Sequence, residues 1–134
     1  MTALSITAAN VGLGDTETIT SKFQAGEAIT QGQPFYLSSN RAYKTDADVS
    51  TKHKVAGIAM TAASTNGYFI GATEGLVAIG ATVAIGTVYV ISPTAGSIMP
   101  SADLASDDYV SILGVGTTTA IIDLQINNSG VAVP

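Results

Sequence analysis

The chain has no cysteine, no tryptophan and a single histidine among its 134 residues. Without cysteine there is neither a disulfide nor a thiolate metal site. Lys and Arg number five against ten acidic residues, a net charge of −5. That leaves no basic footprint, which argues against general nucleic-acid binding. Charge of either sign is scarce, 11% of residues against about 25% in ordinary soluble domains. The solvent face must therefore be built from Thr, Ser, Asn, Gln, Gly and Ala. Such a surface suits a chain that packs into an assembly. No basic segment precedes an apolar core near the start, so no secretory signal is expected. From Gly75 to Ala102 there is no charge at all. Glycines and prolines interrupt this stretch and its apolar residues alternate, which argues for strands and against a membrane span.

Catalytic chemistry is also missing. His53 lies between Lys52 and Lys54, and cationic neighbours oppose metal binding. Asp107 and Asp108 are adjacent; on a strand they point to opposite faces and make no acid/base pair, so a turn before Tyr109 is expected. Asp46, Asp48 and Asp103 lack the spacing of a calcium loop and suit turns or caps. Gly12-Leu13-Gly14 has neither the third glycine nor the following helix of a dinucleotide site, and reads as a turn. Four of the five basic residues, Arg41, Lys44, Lys52 and Lys54, cluster in one segment. They either face an acidic partner or form a solvated loop. We assign no catalytic, cofactor-binding or metal-binding residue, and expect no enzyme activity.

What is present is a β pattern written twice. Residues 26–61 and 80–117 both open with glycines six apart, Gly26/Gly32 and Gly80/Gly86. Each continues with an aromatic-apolar run, Phe35-Tyr36-Leu37 and Tyr89-Val90-Ile91. Each then carries an Ala-Asp-apolar triplet, Ala47-Asp48-Val49 and Ala102-Asp103-Leu104. Each closes on an apolar-Gly-apolar word around Gly57 and Gly114. Short alternating segments between Gly-rich turns predict an all-β domain over 1–134. Its form is a small barrel or sandwich of short antiparallel strands built from the two repeated units, of β-clip, β-tulip or jelly-roll type. Strand should exceed a third of the residues and helix stay under a tenth. Strands are expected at 2–9, 16–23, 35–37, 42–44, 55–61, 68–72, 76–79, 88–91, 97–99, 109–115 and 120–126. Turns are expected at 10–15, Ser38–Arg41, Asn66-Gly67 and 73–75. Aromatic residues in these strands are expected in the core or on sheet faces.

The order of several words resembles a known family. They are Leu4-Ser5-Ile6-Thr7-Ala8-Ala9, Gly26…Gly32…Phe35-Tyr36-Leu37, Val55-Ala56-Gly57-Ile58-Ala59-Met60-Thr61, Gly86 to Ile98, and Ala102 to Ser106 followed by Val110 to Gly116. Over nearly its whole length the chain resembles the capsid decoration, or cement, proteins of tailed bacteriophages. The resemblance implies an all-β homotrimer made in the bacterial host cytoplasm and seated on the outer surface of the virion. Its partners would be further copies of itself and a major capsid protein of the HK97-type fold, with no cofactor, nucleic acid or membrane. The alternative is a tail- or fibre-associated module recognising a host glycan or another virion component.

Residues 1–15 form a candidate N-terminal arm and 127–134 a small, polar C-terminal tail. Leu4, Ile6, Val11 and Leu13 are the candidate contacts with a neighbouring subunit or capsid, since solvating them forfeits burial. The other reading makes this segment an edge strand of its own barrel.

Overall fold

The computed structural model describes residues 3–15 and 17–134. Strand accounts for 48% of it, in an antiparallel sheet curled into a half-barrel. The strands are β1 Val11–Leu13, β2 Ile19–Gln24, β3 Pro34–Ser38, β4 Arg41–Lys44, β5 Gly57–Ala59, β6 Tyr68–Ile79, β7 Val88–Ile91, β8 Ile98–Pro100, β9 Tyr109–Gly116 and β10 Ile121–Ala132. The described residues contain no α-helix, only three-residue 3-10 turns at Ala8–Asn10 and Ser101–Asp103.

The pairings fall into two series of the same form. In the first, β2 pairs with β6, β6 with β5, β5 with β3, and β3 with β4. In the second, β6 pairs with β10, β10 with β9, β9 with β7, and β7 with β8. Thus β6 serves both units, its first half ending one and its second half opening the other. The register agrees as well. Phe35 lies opposite Gly57, and Tyr89 opposite Gly114. Gly32 and Gly86 share a left-handed φ, +88° and +81°. Their N–H groups donate to Ala59 O and Gly116 O, each at 2.8 Å. Ile29 N–H donates to Ala63 O and Val83 N–H to Thr119 O, each at 2.9 Å. Glycine spacing in the repeats is therefore turn geometry, because only glycine adopts that φ without steric cost.

Local chemistry explains the connections. Ser39 and Asn40 both take positive φ, 52° and 66°, in the two-residue turn between β3 and β4, the hairpin geometry whose twist matches its strands. Asn66 takes φ 70° before β6. The residues at 73–75, expected as a turn, instead continue β6. Thr73 is the extra residue of a bulge, since Ile19 pairs with Glu74 and Thr20 with Ala72, and Gly75 beside it takes φ +104°; the strand bends there without reversing.

Two further boundaries differ from expectation. The segment 2–9 forms no strand in its described part, while the expected turn 10–15 holds β1, paired with the end of β6. The expected tail is strand as far as Ala132, with Asn127 opposite Ile112 and Ala132 opposite Tyr109. Backbone pairing needs no apolar side chain, so composition did not reveal it.

Two cores result. In one, Phe35 and Phe69 are buried with Ile29 and Ala59, and Phe23 packs against them. Phe23–Phe35 and Phe35–Phe69 meet edge-on, at 4.8 and 5.1 Å between centroids, an arrangement that adds to area burial. The other core joins Ile58, Met60 and Ala72 to Tyr89, Leu113, Ile122 and Leu124 of the second unit. Ile122 and Leu124 face this core from β10 and Ile126 packs on it, the alternation expected of that strand.

Candidate interaction surface

The four residues singled out in the N-terminal segment divide. Leu4, Ile6 and Val11 pack against the larger core of their own chain. Leu13 remains 53% exposed. Backbone bonds hold the segment in place: Leu4 N–H donates to Ile98 O and Thr7 N–H to Gly80 O, both at 2.7 Å. The segment thus joins β8 to the end of β6 and closes the second unit. The first unit is closed directly, by a bridge between Ala25 and Ala42. Within the single chain the segment lies on its own second unit, and only Val11–Leu13 pairs as a strand, with β6.

Grooves flank the segment on both sides. One, of about 430 Å³, is lined by Ser5, Thr7, Asn10, Thr82 and Thr119 among others. The second, of about 220 Å³, is lined by Leu4, Ile6, Gln31 and Gln33 among others. Neither carries a charged or aromatic side chain. Such walls offer hydrogen bonds without an acid, base or stacking surface.

His53 stacks on Tyr109 with ring planes 2° apart and centroids 4.0 Å apart. Ser111 Oγ donates to His53 O at 2.5 Å. Asn128 completes the arrangement: its Oδ1 accepts from Val55 N–H at 2.9 Å and its Nδ2 donates to Val55 O at 3.1 Å. A side-chain amide here substitutes for a strand partner, tying the 53–57 segment to β10. His53 Nδ1 is buried without a partner among the described residues. The described residues hold no group of three His, Asp or Glu side chains able to bind a metal. Asp108 is buried, and its Oδ2 accepts from Ala105 N–H at 3.0 Å, while Asp107 takes φ 73°. This is the turn expected before Tyr109.

The loop carrying Asp46 docks on the second unit, since Ala47 N–H donates to Ser92 O and Tyr109 N–H to Ala47 O. Burial, and then a hydrogen bond shared with Asp48, push the Asp46 carboxyl up to about 6; Lys52 opposes this. The folded state therefore holds this proton more tightly than the unfolded chain does. Its stabilisation is complete below the ordinary value of 3.8 and is lost as pH rises through about 6. Asp46→Asn mimics the protonated form. The variant should melt with the wild type at about pH 4 and a few degrees above it at about pH 7.5. Parallel melting curves at every pH would exclude the assignment.

Large apolar side chains also reach the surface elsewhere. Eight large ones are exposed among the described residues, including Tyr68 at 61%, Ile85 at 69% and Val131 at 64%. Tyr68 lies on an exposed face of β6. The Lys22 ammonium sits 4.8 Å above its ring, a favourable cation–π contact.

No protein-family model matches the chain, and neither a curated protein nor a solved structure matches it. No helix among the described residues is long and apolar enough to cross a membrane.

Proposed function

We propose that this chain is a structural virion protein that decorates a bacteriophage capsid. It binds the outer surface of the major capsid protein shell and stabilises it by mass action. The single observation that carries the reading is the surface: little charge, with eight large apolar side chains exposed on a small β body. Isolated exposed apolar residues are ordinary, but a surface this poor in charge favours burial in an assembly. The order of sequence words shared with decoration proteins supplies the partner, a capsid shell, and the homotrimeric form. Several subunits touching several capsomers bind with an avidity that no single contact supplies.

The glycan-binding alternative gains nothing from the grooves, which lack the aromatic and carboxylate side chains such recognition uses. Co-sedimentation with expanded capsids of the cognate major capsid protein tests the proposal. Binding should persist from low salt to about 1 M, where screening reaches within about 3 Å. Failure to co-sediment at any salt would refute it.

A further inference from the structure

The two units place equivalent rows of residues in unequal surroundings. Across β3, β5 and β6 of the first unit, Pro34 pairs with Ile58 and Ile58 with Ala72. All three are buried, and Ile58 and Ala72 lie in the core that the second unit completes. The corresponding row of the second unit runs across β7, β9, β10 and β6. Val88 pairs with Val115, Val115 with Asp123, and Asp123 with Leu76. Cross-strand partners project to the same face, so this row is an apolar stripe around one carboxylate. Among the described residues it is only partly covered: Val115 is 38% exposed, and Val88, Asp123 and Leu76 are half-buried. A repeat unit buries its apolar face against its neighbour, and the last unit leaves that face open.

A second open strip lies elsewhere on the chain. Lys22 pairs with Ile70, and Gln24 with Tyr68, along β2 and β6. Ile70 is 39% exposed. This strip sets Ile70, Tyr68 and the polar Gln24 around one charge, of opposite sign. Among the described residues β2 pairs only with β6, and its first four residues are exposed.

We infer that the Val88–Val115–Asp123–Leu76 row of one copy docks on the Lys22–Tyr68–Ile70 strip of a second copy, with Asp123 facing Lys22. The inference rests on the self-association part of the proposed function and requires no capsid. The two patches differ, so the contact is head-to-tail; it closes as a ring of three or more copies or runs on as a filament. The charge pair sets register and partner choice, and the apolar rows supply burial.

Native mass spectrometry and light scattering on the free full-length protein test this without capsids. The wild type should form an assembly of three or more copies. Asp123→Lys and Lys22→Asp should each raise the concentration at which it dissociates by about tenfold or more, because like charges then meet. The double exchange should restore it. If a reversal lowers the melting temperature, Val115→Glu takes its place and should dissociate the assembly. A wild-type monomer or a two-fold dimer overturns the inference. So does insensitivity to the reversals, or absence of rescue in the double exchange. Loss of capsid binding by an intact ring would instead count against the decoration function alone.

Discussion

Gly114→Ala is expected to cost about 3 kcal/mol or more, beyond the ordinary range for a single added methyl in a packed core. A Cβ at this position would stand 2.0 Å from Asp123 O and 2.9 Å from Ile122 Cγ2. The first of these is backbone in the paired strand β10, which cannot rotate away as a side chain would. Relief requires β9 and β10 to separate at the Gly114–Leu124 pair, in the middle of the second unit. Gly57 is its counterpart, and there a Cβ would meet Ala72 O at 2.6 Å and the Phe35 ring at 3.1 Å. Gly57→Ala should therefore also destabilise, by less, because the carbonyl lies farther off. Urea denaturation of both variants measures the difference. Neutral behaviour of Gly114→Ala would mean that β9 and β10 do not approach as closely as described.

These glycines show how much of the fold was legible in the sequence. A glycine within an apolar strand word, present in both repeats, signals close approach of another backbone. Gly32 and Gly86 were legible in another way, because their spacing marks the positive-φ turns that start β3 and β7. Strand identity followed from alternation and from turn residues such as Ser39, Asn40 and Asn66. Sharing of β6 was not legible, because Thr73-Glu74-Gly75 has the composition of a turn and only the neighbouring strands keep it extended. The strand role of 127–132 was hidden for a similar reason. Asn127, Asn128, Ser129 and Gly130 have low β propensity. They are held by backbone pairing with β9 and by the Asn128 bonds to Val55.

The candidate surface was legible only in part. Leu4, Ile6, Val11 and Leu13 were found as apolar residues needing cover, and three of them find it within their own chain. The row through Val115 was not singled out. Its signal was nonetheless in the repeats: Ile58 and Val115 occupy matching words, and a residue buried in one copy implies an apolar face in the other. What composition cannot supply is which of the two faces is left uncovered, since that depends on how the units stack.

Deleting residues 1–13 should unfold the second unit. The segment contributes Leu4, Ile6 and Val11 to the larger core. Each is half-buried, so each contributes about half of the roughly 1.5–3 kcal/mol of a fully buried aliphatic. Deletion also removes the bonds from Leu4 to Ile98 and from Thr7 to Gly80, and the pairing of β1 with Val77–Ile79. It leaves backbone groups of β8 and β6 at an open edge beside an apolar interior, a template for aggregation. The sum is comparable to the whole stability of an ordinary domain, about 5–15 kcal/mol. The truncated chain is expected to lose its cooperative thermal transition or to aggregate, whether or not capsids are present. Leu4→Ser with Ile6→Ser, a milder change, should lower the melting temperature while leaving the β-type circular dichroism spectrum intact. The opposite outcome has a distinct signature: a truncated chain that melts like the wild type but no longer associates. That result would make the segment an arm that acts between subunits, and the closure of the second unit would then have to come from a neighbouring copy.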